Sequence, residues 1–494
     1  MTKLNGWKMR CAVLLLCAAT ATASRAQTLT TIAEFDSSDG FPRGSLVQGR
    51  DGNLYGASGG NVYGTIFKVS PGGVLTLLHS FQYSEGSGPS SLALGADGNL
   101  YGTTAGGGPN HQGTAFSMTS AGTVTTLYSF GEPNGGFSNG SEPYGGLVQR
   151  GDGSLYGTTF DGGPNDCGGQ HNCGVVFRIT QTGAAMQRNF DFLDGANSLA
   201  GLTQGLDGKF YGTASAGGDP NCSIGGDEFY GCGTIFRVEP VGRPKAMHTF
   251  ELGDGAVPLD ALVSGGDGYF YGTTSEGGDL SCDPPYGCGT VFRISPSGAL
   301  ATLHKFHNGT DGAFPVGTLN QATDGNFYGV TGGSGGVPCN AYSGCGTLFR
   351  ITPSGILTTL YIFCSQNDCA DGSYAGGGLL QATDGMLYGT TTEGGNINCA
   401  APLGCGTVYR PNIGLGPFVK LGRYSGKVGQ TGGILGQGFT GTTSVSLNGT
   451  PAQFRVISDT FLKVMVPPGA TTGYVTVTTP SGTLTSNVPF HVLK

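Results

Sequence analysis

The chain is poor in charge, and most of it is poor in tryptophan. Only 11 % of its 494 residues are Asp, Glu, Lys or Arg, and the one Trp, Trp7, lies in the N-terminal segment. Such low charge with 10 % aromatic residues excludes a disordered polyelectrolyte, and it is not the composition of a helix-rich protein. Past the N-terminus no stretch stays apolar for the 18 or more residues that a membrane helix needs. The 95 glycines follow no G-X-Y period, which excludes collagen. What remains is a turn-dense, all-β chain.

The N-terminus combines Lys3, Lys8 and Arg10 with the short apolar run CAVLLLCAATATA and small residues Ser24 and Ala26. This is the form of a cleaved signal peptide, expected to span residues 1–26. Cys17 follows Leu16, where a lipid attachment site would need a small residue, and FHVLK closes the sequence without an evident membrane anchor. The expected location is secreted, periplasmic or cell-surface. Without residues 1–26 the chain holds twenty basic and thirty-two acidic residues, a net charge near −12. That balance argues against nucleic acid or an anionic membrane as partner.

A six-residue motif recurs seven times: DGNLYG at 51 and 97, DGSLYG at 152, DGKFYG at 207, DGYFYG at 267, DGNFYG at 324 and DGMLYG at 384. Each copy is followed by a G-[TV]-x-[FY] motif, at 64, 113, 174, 233, 289, 346 and 406. A third motif, apolar and ending in Phe, begins with TTIAEF at 30–35 and ends with TTLYIF at 358–363. A fourth, such as SLVQ at 45–48, precedes each Asp-Gly. All are short, rich in β-branched and aromatic residues and bounded by turn formers, so they read as strands. Four strands per unit of 46 to 60 residues is the pattern of a β-propeller blade. The third motif stands first in the chain and is missing after residue 410, so strand 30–35 is expected to complete the last unit. The expected architecture is a seven-bladed β-propeller over 27–410, a linker at 411–422 and a second domain at 423–494.

The repeat, of the form DGxLYGTT…GTVFRITPxGxLTTLYSF, resembles that of the GloVer tandem-repeat exported proteins over roughly residues 28–410. The resemblance implies fold and location rather than an activity. Residues 423–494 carry G-x-G-F, SVSLNGT, VPPGA and a final F-x-V, and they resemble an IPT/TIG domain, an immunoglobulin-like β-sandwich. In exported proteins such domains imply a spacer or weak adhesion module.

The seven Asp-Gly pairs could suggest a ring of metal ligands. Calcium, however, needs several oxygens converging on one ion, as in D-x-[DN]-x-[DN]-G, and no copy has that form. They are expected to form hairpin turns. The cysteines fall as Cys167/Cys173, Cys222/Cys232, Cys282/Cys288, Cys339/Cys345, Cys364/Cys369 and Cys399/Cys405. Without CxxC spacing these read as six short-range disulfides. Five sit between the second and third strands of a blade, and Cys364/Cys369 sits between blades six and seven.

In a four-stranded blade the tight turns share one face and the long braced loops the other, so a ligand is expected on the loop face. Acidic and Tyr residues concentrate there: Asp161, Asp219, Tyr230, Glu276, Asp279, Tyr286, Tyr342 and Glu393, with Asp166, Asp227, Glu228 and Asp283 nearby. They form the candidate binding face, suited to sugar hydroxyls or a cation. Lys68, Arg178, Arg237, Arg293, Arg350 and Arg410 recur in the third strand and are expected to pack between blades. His79, His248 and His304 read as peripheral packing on outer strands, leaving His111 and His171 as loop histidines. GGSGG (332–336) matches G-x-S-x-G only formally. No residue is nominated as catalytic, cofactor-binding or metal-ligating. The expected function is non-enzymatic binding, of extracellular carbohydrate or a surface protein. A polysaccharide-active lyase or hydrolase and a purely structural envelope protein are the alternatives.

Overall fold

Among the described residues, seven antiparallel sheets follow one another up to residue 411, and two further four-stranded sheets with one parallel strand pair follow after residue 419. The computed structural model describes residues 28–493 apart from 61, 168–171, 181–182, 184, 223–230, 240–241, 334–335, 337–344 and 401–402. The expected signal segment 1–26 therefore lies outside the described residues, as do Cys339, Tyr230, Tyr342, Asp227, Glu228, His171 and Ser334. The first sheet shows the plan: Phe41–Gln48, Leu54–Gly59, Thr65–Val69 and Leu75–Ser80 are hydrogen-bonded in chain order. Among the described residues the only helical element is a three-residue 3-10 turn, Asn367–Cys369.

The repeated DGxLYG motif builds a hairpin from its own atoms. The Gly49 N–H donates to the Asn53 carbonyl at 2.9 Å, and the Gly52 N–H donates to the Gly49 carbonyl at 3.1 Å. Gly52 has φ +82°, and its counterparts are likewise left-handed, the region open to glycine at least cost. Asp51 accepts the Asn53 N–H through Oδ1 at 3.2 Å and the Tyr55 hydroxyl through Oδ2 at 2.9 Å. The same Tyr-to-Asp bond recurs at Tyr101, Tyr211, Tyr271, Tyr328 and Tyr388. Asp152 differs by pairing with Arg178 at 3.2 Å. The recurring Asp thus clamps a turn to the strand that leaves it.

The final Gly of the motif has a second cause. A Cβ on Gly56 would lie 2.4 Å from the Phe67 ring and 2.9 Å from Leu46. All seven copies show the same crowding by the third-strand aromatic and the inner-strand Leu. The ring lies across bare backbone, so any larger residue there would overpack the sheet.

The buried core is divided rather than central. Among the described residues one apolar cluster fills each gap between consecutive sheets, and an eighth fills the C-terminal sandwich. One of the seven lies between the last sheet and the first, joining Phe35 and Tyr388 to Leu46 and Phe67. Each gap also holds an edge-to-face pair between the Phe ending one outer strand and the third-strand aromatic of the next sheet. They run from Phe81–Phe116 at 5.3 Å to Phe363–Tyr409 at 5.0 Å, and Phe35–Phe67 at 4.9 Å completes the set. Leu29–Glu34 pairs antiparallel with Thr407–Pro411, and the Phe35 N–H donates to the Gly406 carbonyl at 3.1 Å. Gln48 and Thr383 exchange two hydrogen bonds, at 3.1 and 3.0 Å, which tie the first sheet to the seventh.

Two of the third-strand cations, Arg178 and Arg293, pack differently from expectation. Arg178 reaches Asp152 and Ser154, and Arg293 lies 4.9 Å over Tyr269, both on the hairpin of the same sheet. The hairpin aromatics and carboxylates stand directly beside them, whereas the gaps between sheets are already filled by apolar side chains.

Residues 420–493 form a sandwich. One sheet runs Lys420–Leu421, Thr431–Leu435, Phe461–Met465 and Phe454–Ser458. The other runs Thr450–Pro451, Ser444–Leu447, Val475–Thr479 and Gly482–Thr485. Leu421, Phe439, Leu462 and Val477 are buried between them. The sandwich rests on the Asp-Gly turns. Thr460 Oγ1 donates to the Arg50 carbonyl at 2.6 Å, Gln437 Nε2 to Thr383 Oγ1 at 3.0 Å, and Arg423 to the Gly151 carbonyl at 3.2 Å. Arg50 also stacks 4.3 Å over Phe461.

Candidate functional site

With the sandwich on the tight-turn face, the opposite face carries the irregular loops. Five disulfides brace it: Cys167–Cys173, Cys222–Cys232, Cys282–Cys288, Cys364–Cys369 and Cys399–Cys405. Cys345 is also disulfide-bonded, and its expected partner Cys339 lies outside the described residues. Such bonds belong to an oxidising compartment and place the protein outside the cytosol. Among the described residues no helix is long and apolar enough to cross a membrane.

The acids expected on this face divide by what holds them. Asp161 Oδ1 accepts the N–H groups of Gly162 and Asn172 at 2.6 and 2.7 Å. Asp219 accepts Asn221 N and Nδ2 at 2.9 and 3.0 Å. Asp279 accepts the hydroxyl and N–H of Ser281, which hold its carboxyl below the usual range. These three cap their own loops. Glu276 behaves otherwise: its Oε2 is buried with no hydrogen-bond partner among the described residues, and burial, helped by the Asp283 carboxylate, pushes its carboxyl up to about 7. Glu393 holds the equivalent place in the seventh sheet, and burial raises it too. Tyr286 is half-buried, packs against the core between sheets four and five, and its carbonyl accepts the Gly277 N–H at 2.7 Å.

Sequence reasoning missed a second acid–glycine repeat, one per sheet, at the entry from the preceding outer strand. It comprises Asp39-Gly40, Glu85-Gly86, Asp194-Gly195, Asp254-Gly255, Asp311-Gly312 and Asp371-Gly372, with Asn139-Gly140 replacing the acid in the third sheet. Buried Thr hydroxyls donate to its carbonyls, Thr114 to Glu85 and Thr234 to Asp194 at 3.0 Å each. Its side chains receive the outer-strand ring: His79–Glu85 at 3.2 Å, His248–Asp254 at 3.0 Å, His304–Asp311 at 3.1 Å, and Tyr361 to Asp371 at 2.7 Å. The outer histidines therefore bond to the next sheet rather than merely pack. In four of the seven units the acid stands four residues after the outer-strand Phe, as Asp39 does after Phe35, and that partial regularity was the available signal.

Also missed was the inner edge, where consecutive inner strands meet almost backbone to backbone. A Cβ on Gly377 would fall 2.0 Å from the Gly44 carbonyl, and one on Gly145 would fall 2.4 Å from that of Ala200. Where other sheets have Gly, Ser or Ala, the fifth has Asp260. It accepts the Gly317 N–H, yet burial raises its carboxyl to about 6. One residue nearer the loop face, at the position of Leu199, Leu259 and Val316, stand Arg43 and Tyr144. The Tyr144 hydroxyl donates to Glu142 at 3.3 Å. Burial, then the Glu142 carboxylate, push that phenol up to about 12 against the opposing charge of Arg43. Arg43 is exposed and makes no ion pair among the described residues, and Tyr144 is 40 % exposed. A cation on the first sheet, a phenol and a carboxylate on the third and a carboxylate on the fifth thus break the symmetry of the repeat along the inner strands.

Comparison with known proteins bears on fold and family. The Gloeobacter/Verrucomicrobia repeat matches residues 20–224 and 221–452, and the IPT/TIG domain matches 421–492. No match was found among curated proteins. Similar solved structures include a puromycin hydrolase (13 % identity, TM-score 0.45, 82 % of this chain and 61 % of that one). A luciferin-regenerating enzyme is similar at 12 % identity and TM-score 0.41, covering 79 % of this chain and 97 % of its own. A nidogen/laminin complex is similar at 15 % identity and TM-score 0.33, covering 54 % and 80 %. Similarity at this level does not extend to chemistry.

Proposed function

From the premise that this chain belongs to the Gloeobacter/Verrucomicrobia repeat family and carries a C-terminal IPT/TIG domain, we propose that it is an exported, non-enzymatic binding protein. In this reading residues 27–410 form a seven-bladed propeller closed by strand 30–35, and residues 1–26 are removed on export. The linker expected at 411–422 is shorter, because Pro411 ends a strand of the seventh sheet and Lys420–Leu421 is already a strand of the sandwich, which occupies the tight-turn face and leaves the disulfide-braced face to a ligand.

The observation that carries the reading is the inner mouth. Arg43, Glu142, Tyr144 and Asp260 come from sheets one, three and five and depart from the repeat where the loop face opens. An exposed phenol beside a cation and carboxylates suits the hydroxyls and ring face of an extracellular carbohydrate. Asp161, Asp219 and Asp279 are engaged by their own loops and serve as its frame.

A raised carboxyl at Asp260, on an inner strand as the phenol and the guanidinium are, is also what a lyase or hydrolase of polysaccharides would use, and this keeps the enzymatic reading as second. A glycan array combined with a depolymerisation screen on the oxidised protein separates them. Binding without turnover, lost in Arg43→Ala and Tyr144→Ala, supports the first reading, and turnover lost in Asp260→Asn supports the second. Neither binding nor turnover leaves a structural envelope role.

A further inference from the structure

At the rim between the fifth and sixth sheets, two histidines and two aspartates converge from three segments. His304 stands next to last in the outer strand Leu300–Lys305, His307 follows the strand, Asp311 belongs to the acid–glycine turn opening the sixth sheet, and Asp279 lies in the long loop of the fifth. His304 Nε2 is 3.1 Å from Asp311 Oδ2, and His307 Nδ1 is 3.4 Å from the same oxygen. His307 Nε2 faces Asp279 Oδ2 at 3.6 Å.

The simplest account is structural, because the His–acid pair recurs at His79–Glu85 and His248–Asp254. That account covers His304 and Asp311 and leaves His307 unexplained. At its position after the outer-strand Phe the other two sheets have Gln82 and Glu251, so the second imidazole is particular to this junction. The ligand atoms of His304, His307 and Asp311 lie within 4.8 Å of one another. The edge of a tetrahedron around zinc with N and O ligands at about 2.0–2.1 Å is about 3.3–3.4 Å, close to the separations from Asp311 Oδ2.

We propose that His304 Nε2, His307 Nδ1 and Asp311 Oδ2 bind a divalent transition metal of zinc's type. Two imidazoles and one carboxylate favour zinc over calcium or magnesium, which prefer all-oxygen sites. Asp279 faces the other ring nitrogen of His307 and acts as its positioning residue, the carboxylate–histidine–metal arrangement found around zinc. The His307 side chain is 59 % exposed, so a fourth position opens to solvent. The ion would fasten the fifth sheet's outer strand and the turn that opens the sixth sheet to each other, with the long loop held through Asp279. This inference is independent of the ligand proposed for the inner mouth.

The test is calorimetric titration of zinc into metal-stripped, oxidised protein made without a histidine tag, with cobalt absorption in the visible as a second readout. One zinc per chain at micromolar or tighter affinity is expected, together with a tetrahedral-type cobalt spectrum. His307→Ala should weaken zinc at least tenfold, Asp279→Asn by about 10–100-fold, and His248→Ala should leave it unchanged. The His307 side chain is exposed, so its removal leaves the fold intact, which far-ultraviolet circular dichroism checks. No binding tighter than about 100 μM, or binding that survives His307→Ala, overturns the proposal. Equal loss in His248→Ala overturns it as well.

Discussion

Replacing Phe35 by alanine probes whether the first strand of the chain is an equal member of the last sheet. Phe35 is 0 % exposed, lies edge-to-face on Phe67 at 4.9 Å, and belongs to the cluster between the seventh and first sheets. Truncating a buried Phe to Ala costs about 3–5 kcal/mol, of which ring–ring geometry supplies about 0.5–1.5 kcal/mol. Phe306 has the same environment, 0 % exposed and 5.4 Å from Phe349, so Phe306→Ala is the internal standard. Both variants should lose about the same stability, to within roughly 1 kcal/mol. A ring of roughly 380 residues has a large unfolding entropy, so the loss is only about 4–6 °C in Tm. Urea unfolding with disulfides intact resolves it better, through the shift of the midpoint at constant slope. Backbone circular dichroism and tyrosine emission should report one coincident transition. A Phe35→Ala cost below about 1 kcal/mol beside a full cost for Phe306→Ala would refute equal membership and make Leu29–Glu34 an ornament.

Glu276 makes stability depend on pH. Its folded carboxyl titrates near 7 while the unfolded one titrates in the ordinary range, so between those values the folded state holds the extra proton and stability falls as pH rises. Glu276→Gln should raise Tm at pH 7.5 and leave it nearly unchanged at pH 4; equal shifts at both would contradict the buried carboxyl. Gly212→Ala puts a methyl 2.6 Å from the Phe236 ring and should cost about 1–3 kcal/mol or more in urea unfolding. Its motif neighbour Gly208, φ +78° with open space around it, should lose only about 1–2 kcal/mol to the backbone conformation. Alkylation of unreduced protein followed by intact-mass measurement should show no adduct on the ten cysteines of the five described disulfides. Opening Cys282–Cys288 by a double Ser replacement should cost roughly 2 kcal/mol on loop-closure entropy.

Much of the frame was legible because it is periodic and local. An Asp followed by Gly and, four residues on, by Tyr can close a hairpin and bond its own strand without help from elsewhere, and Asp51 with Tyr55 does so. Cysteines six to ten residues apart can meet within one loop, as Cys222 and Cys232 do. Arg178 and Arg293 reach their own hairpins rather than the neighbouring sheet, because a cation repeated along the chain does not say which of its neighbours it faces. His307 was passed over because beside the repeated His304 it looks like one more loop residue.

The sequence by itself determined the unit, its turns, its braces and the change to a second domain at the C-terminus, since each rests on residues close in the chain. Tertiary structure alone decided where the units differ usefully. Arg43, Tyr144 and Asp260 are separated by more than a hundred residues or sit where other copies have apolar or tiny side chains, and the fold sets all three on inner strands. Burial does the rest. Asp260 and Glu276 look like any other acids in the sequence, and only the neighbours that desolvate them set their carboxyls apart.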